Sequence, residues 1–331
     1  MAIGVLGTGS YLPEREISNA IVAGPAGVDE EWILRKTKIE GRRFAADDEA
    51  TSDLAARAGR AALAAARLDV SDIDMIVVST STPDSPQPPT AFLVQNLLGA
   101  WNAAAFDINV VCSGFIYALE LAQSLIAAGA RRRVLVIAAD LYSRSLDFTD
   151  RRTAVLLGDG AGAAVMGEVD DGYGIQHIEL KARGDLQQLI RVDAGGSRLP
   201  ASQRTIDDKQ HFFRMQGRQV REFVLDHVPA AMSRTVKAAG ATPDELAHVV
   251  PHQPNGVLLD ELEMQSGFSR ARMHRTVERY GNVGSASVPV TLDVARQEGA
   301  LRNGDLVLLS AFGGGMAMGH CLLRWQEPAT L

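Results

Sequence analysis

Cys112, His252 and Asn282 are the residues of this 331-residue chain whose types and settings suit thiol chemistry on a carbonyl carbon. A thiolate attacks a thioester; an imidazole and a carboxamide can hydrogen-bond to the negative oxygen that such chemistry creates. Cys112 sits in FDINVVCSGFIYALELAQSLIAAG, where a strand is expected to run into the cysteine and Ser113-Gly114 to turn the chain into a helix. Along that helix only Glu120, Gln123 and Ser124 interrupt the apolar residues, the pattern of a buried helix. Its first turn would aim free N–H groups and a partial positive charge at the sulfur. Lowering a thiol pKa from ~8.5 to ~7 would raise the thiolate from a few per cent to half at neutral pH. Cys321, in GHCLLRW, has no such setting and reads as a small core residue.

The elements that must hold these residues alternate between strand and helix. Segments 75–79 (MIVVS), 106–111 (FDINVV) and 134–138 (VLVIA) are β-branched apolar runs, and 54–68 and 115–128 have helical apolar spacing. The start, MAIGVLGTGSYLP, reads as a first strand ending in a glycine-rich turn, and PDSPQPP at 83–89 as a rigid loop. The second half repeats the first at a nearly constant offset. DIDMIVV at 72–78 resembles ELAHVVP at 245–251; Cys112 aligns with Ser285 in GSASVPVTLDVARQEG; VLVIA aligns with LVLLS from Leu306. Two similar α/β halves are therefore expected, 1–170 carrying the cysteine and 171–331 carrying the histidine and asparagine. By the same offset His252, in PHQPN, takes the strand-end position of Ser79, where sites form in α/β sheets. Asn282 lies in the turn YGNVGS just ahead of the counterpart of the cysteine helix.

Glycine stretches and bulk composition narrow the function. Gly313-Gly314-Gly315 after LVLLSAF suits a backbone that approaches a reacting group closely, such as an oxyanion needing an N–H donor. GDGAG at 158–162 lacks the Lys-Ser/Thr ending of a phosphate loop, and Leu12 stands where a third glycine would complete GxGxxG. Close backbone packing is expected there instead. Two cysteines 209 residues apart, with no Cys/His cluster, give neither a disulfide framework nor a metal site. A net charge of −7 speaks against nucleic acid, although arginine outnumbers lysine 28 to 5. No apolar run approaches a membrane span and the start lacks the features of a secretory signal, so a cytoplasmic protein is expected.

Taken together, GTGSYLP, DEEWILRKTKI, AFDINVVCSGFIYAL, TDRRT, GDGAGAAV, VPHQPN, YGNVGSAS and AFGGG, in that order, resemble the β-ketoacyl-ACP synthase III family. The resemblance implies a five-layered αβαβα thiolase-like fold, a homodimer, acyl groups carried on coenzyme A or acyl carrier protein, and no cofactor. It implies that Cys112 is acylated by a thioester, with the Cys112 and Gly314 N–H groups as oxyanion donors. His252 and Asn282 would then stabilise the enolate formed when a malonyl thioester loses carbon dioxide, and that carbanion would attack the acyl-cysteine. Trp32 and Arg151 match the family's clamp on the adenine of coenzyme A, while Lys36 replaces its usual arginine. Gly217 and Arg218 stand where Gly-Asn usually meets the pantetheine arm, and Asn255 belongs to the substrate-binding set on the same grounds. Arg218 and Arg221, at helical spacing, are expected to line the thioester entrance and meet phosphates. Val257 stands in place of an arginine associated with carrier docking, and Gln87 in place of an apolar gate. Two further readings keep the fold: an acyltransferase passing the Cys112 acyl group to an alcohol, amine or carrier without condensation, and a non-catalytic subunit of a heterodimeric synthase.

Overall fold

The computed structural model describes residues 1–327. Two five-stranded sheets form its frame. The first contains β1 (Ala2–Tyr11), β4 (Met75–Ser79), β5 (Ala104–Ile108), β6 (Val134–Leu141) and β7 (Asp159–Val169), in the order β1-β7-β6-β4-β5. The second contains β8 (Gly174–Ala182), β11 (Leu246–Pro251), β12 (Arg272–Met273), β13 (Leu306–Gly313) and β14 (Ala317–Arg324), in the order β8-β14-β13-β11-β12. In each sheet the first three strands run antiparallel and the last two pairings are parallel. The short pairs β2 (Arg15–Ser18) with β3 (Gly41–Phe44), and β9 (Ile190–Arg191) with β10 (Arg214–Met215), lie outside these sheets.

The repeat extends to the turns and helices. The single 3-10 turns Val111–Ser113 and Gly284–Ala286 lie 173 residues apart, as do the starts of the helices α5 (Gly114–Ala127) and α10 (Ser287–Gln297) that follow them. Both helices pack between the sheets, where Phe115, Ile116 and Leu119 meet Val288, Leu292, Val307 and Leu309. Each large apolar side chain buried there contributes roughly 1.5–3 kcal/mol relative to exposure. The helix α3 (Thr51–Ala66) covers the outer face of the first sheet through Leu54, Ala55, Ala58 and Ala62. On the second sheet's outer face, α7 (Gly217–Ala238) supplies Val224, Val228 and Met232, and α8 (Gly256–Ser266) adds Leu259 and Leu262. Helix, sheet, helix, sheet and helix stack as five layers, the thiolase-like arrangement expected. The expected boundary at 170/171 falls in the turn between β7 and β8; residues 328–331 of that second half lie outside the described residues.

Two local readings change. The glycines of MAIGVLGTGSYLP are strand interior, because β1 runs through them. A Cβ on Gly7 would stand 2.4 Å from the Ala66 backbone nitrogen, and one on Gly9 would stand 2.2 Å from that of Ala62, so glycine lets β1 touch α3. The strand before Cys112 stops at Ile108 rather than Val111. In GDGAG close packing is what is found: a Cβ on Gly162 would lie 2.7 Å from the Val290 nitrogen of α10. Among the described residues, no helix is long and apolar enough to cross a membrane.

Candidate active site

Cys112 is placed by a sharp turn. Val111 adopts φ 47°, a left-handed conformation rare for a β-branched residue, and so swings the next residue out of line with β5. Ser113 Oγ donates to the Ala317 carbonyl at 3.0 Å, fastening the turn of the first half to β14 of the second. Two glycines let the cysteine sit this deep. A Cβ on Gly114 would fall 1.8 Å from Ser79 Oγ, and one on Gly313 would fall 2.6 Å from Cys112 Cβ. The thiol is buried, and burial drives its pKa up, with the nearby Asp140 charge adding to the effect. The backbone N–H groups of Cys112 and Gly314 pull the other way without reversing it. The lowered thiol pKa expected from a helix start is therefore overturned: desolvating an isolated sulfur anion outweighs the partial charge of one helix end.

His252 follows β11, its N–H donating to the Ser310 carbonyl at 2.7 Å. The imidazole is 2% exposed, meets the edge of Phe312 at 5.4 Å between centroids, and among the described residues has no hydrogen-bond partner for Nδ1. Burial lowers its pKa to about 3, with a backbone contact to Gly284 opposing, so the ring is neutral at any ordinary pH. Asn282 is stitched to the first half by Asn282 N–H to the Leu156 carbonyl (2.8 Å) and Gly158 N–H to the Asn282 carbonyl (2.9 Å). Its Oδ1 accepts from Gly284 N–H at 2.9 Å, and among the described residues the two Nδ2 hydrogens have no acceptor.

Cys112, His252 and Asn282 line one largely apolar cleft. Its walls include Tyr142, Leu156, Ile190, Phe213, Met215 and Phe312, residues the sequence reading did not single out. Phe312 comes from the end of β13; the others come from short loops and turns and the β9–β10 pair, which carry no periodic signal. Gly313 also lines the cleft, and Gly314 follows it with its N–H directed at the thiol.

Outside the cleft the expected binding residues separate. Arg151 lies over the Trp32 ring at 5.6 Å, so the pair does come together. The helix bearing Trp32, α2 (Glu30–Thr37), is capped by Asp29, which accepts from Trp32 N–H at 2.6 Å. Lys36 is exposed in the last turn of α2. Gly217 opens α7 at the surface; Arg218 pairs with Glu222, and Arg221 is held in a two-pronged pair with Glu261. None of these three lines the cleft. Asn255 Oδ1 caps α8 by accepting from Leu258 N–H at 2.8 Å, and Gln87 is exposed. Among the described residues no group of three or more His, Cys, Asp or Glu could hold a metal ion.

Sequence patterns described as 3-oxoacyl-[acyl-carrier-protein (ACP)] synthase III and its C-terminal part match residues 106–184 and 236–325. The chain is 52% identical over 324 residues to the acetoacetyl CoA synthase NphT7 of Streptomyces sp. strain CL190, covering 97% of this chain and 98% of that one. It is 41% identical over 327 residues to the beta-ketoacyl-[acyl-carrier-protein] synthase III of Caldanaerobacter subterraneus subsp. tengcongensis, covering 99% of each. The crystal structure of the priming beta-ketosynthase from the R1128 polyketide biosynthetic pathway superposes with a TM-score of 0.91 at 34% identity, covering 99% of this chain and 97% of that one.

Proposed function

Because the chain belongs to the 3-oxoacyl-[acyl-carrier-protein] synthase III family, we propose that Cys112 takes up an acyl group and that His252 and Asn282 then direct its condensation with a malonyl thioester. The protein is a condensing enzyme, a transferase of fatty-acid or polyketide biosynthesis, and its family works on acyl thioesters without a cofactor. The observation that carries the residue assignment is the meeting of all three side chains, from both halves, on one enclosed apolar cleft.

In this reading the Cys112 thiol passes its proton to water as the sulfur attacks the acyl carbonyl, so the neutral His252 ring keeps its N–H for the second step. The oxyanion is met by the Cys112 and Gly314 N–H groups, and collapse releases the carrier thiolate, which takes a proton from water. The malonyl thioester follows, its carbonyl oxygen accepting from the neutral His252 ring and from Asn282 Nδ2. The bond to the carboxylate breaks, carbon dioxide leaves, and the electron pair becomes an enolate. Its carbon attacks the acyl-cysteine, and collapse frees a β-ketoacyl thioester and the Cys112 thiolate, which takes a proton from water. Trp32, Lys36, Arg151, Gly217, Arg218 and Asn255 belong to this proposal as the outer thioester-binding set. So do a homodimer and a cytoplasmic site of action.

The finer proposal is that an acetyl group meets malonyl-CoA rather than a malonyl carrier protein. Supporting it are the higher identity to an acetoacetyl CoA synthase than to a carrier-protein synthase, and Val257 in place of a carrier-docking arginine. With acetyl-CoA as donor, the expected kcat/KM is at least about tenfold higher for malonyl-CoA than for malonyl carrier protein, a difference of ~1.4 kcal/mol. Faster turnover on the carrier would overturn the acceptor. No carbon dioxide from either would replace condensation by plain acyl transfer.

A further inference from the structure

Asp140, at the end of β6, is fully buried beside the cleft and forms no ion pair among the described residues. Its Oδ1 accepts from Ser81 N–H (2.8 Å) and Ser81 Oγ (2.9 Å), with the hydroxyls of Thr80 and Thr82 at 3.4 Å. Its Oδ2 accepts from Ser285 N–H and Ser285 Oγ, each at 2.7 Å. Burial raises its pKa, and the Ser81 and Ser285 donors oppose that. Both oxygens are taken up by donors, an arrangement that suits the carboxylate.

Ser285 belongs to the turn that repeats the cysteine turn in the second half. Its neighbour Gly284, at φ 57°, has no room for a side chain: a Cβ would stand 2.4 Å from both Asp140 Oδ2 and Tyr142 Cε2. Gly284 N–H in turn holds Asn282 Oδ1. We propose that Asp140 is the positioning residue for Asn282: by gripping Ser285 it fixes the Gly284 N–H, which turns the Asn282 amide so that its Nδ2 donors serve the enolate.

This rests on the condensation reading, and the test separates the two. Acylation of Cys112 by acetyl-CoA and release of carbon dioxide from malonyl-CoA are timed separately in wild type, Asn282→Ala, Asp140→Asn and Ser285→Ala. In Asp140→Asn, condensation falls by on the order of 10²-fold and acylation does not. In Ser285→Ala, which keeps the carboxylate and stands in if Asp140→Asn does not fold, a smaller loss of about threefold to tenfold is confined to condensation. If Asn282→Ala condenses normally, the condensation reading fails. If Asn282→Ala is impaired while Asp140→Asn and Ser285→Ala condense at the wild-type rate, or lose both half-reactions by one factor, the positioning role is overturned.

Discussion

At the scale of single residues, the proposed chemistry turns on a thiol held protonated and an imidazole held neutral. Burial does both, pushing Cys112 up and His252 down to about 3. Because the thiol pKa is raised, the reactive thiolate is a small fraction at neutral pH and grows with each unit of pH. His252 has shed its proton far below that range and adds no inflection. Alkylation of Cys112 by iodoacetamide, mapped by peptide mass, is therefore expected to rise about tenfold per pH unit from pH 6 to 9. A plateau reached by pH 7 would contradict the burial argument. The sequence singled out the cysteine, the histidine and the asparagine by their places at strand ends and turns, and the fold brings the three to one cleft. It missed the sense of the thiol's shift, because sequence displays a helix start but not the depth at which the sulfur lies. Asp140 was invisible for a similar reason: its six hydroxyl and N–H donors come from chain segments near Ser81 and Ser285, about 200 residues apart.

At the scale of elements, the cysteine turn depends on how closely α5 approaches the end of β4. Gly114 opens α5 against Ser79, whose Oγ is buried without a partner. Gly114→Ala would put its methyl 1.8 Å from that oxygen, so the start of α5 must move. The expected cost is roughly 1–3 kcal/mol, read as a lower urea midpoint together with slower acylation. Ser79→Ala alone is expected to be nearly neutral, since it removes an unsatisfied hydroxyl, and in combination it should recover part of the loss. Full additivity of the two changes would show that the contact does not limit the packing. The helices α3 and α5 were legible within about three residues from apolar spacing, since each buries one broad face. The β9–β10 pair was not. Strands of two residues are too short to display a period, yet Ile190 and Met215 wall the cleft.

At the scale of the whole molecule, the duplication explains why the site draws on both halves. Each half places a 3-10 turn and a central helix between the sheets, and the two turns touch. One turn carries Cys112. The other carries Ser285, while its own strand end and preceding loop present His252 and Asn282 to the same cleft. The repeat was readable because strand, turn and helix recur at an offset held within one residue; the cleft was not, since it exists only where the halves are packed together. The proposed chemistry has His252 and Asn282 serve an enolate that arises after Cys112 is acylated. The most direct measurement takes Asn282→Ala pre-loaded with a labelled acetyl group. Carbon dioxide released from malonyl-CoA is timed against the acetyl-Cys112 remaining. Full acylation is expected, with release slowed by ~10²–10³, roughly 3–4 kcal/mol, and the acetyl-enzyme persisting; release at the wild-type rate from that variant would contradict the enolate role of Asn282.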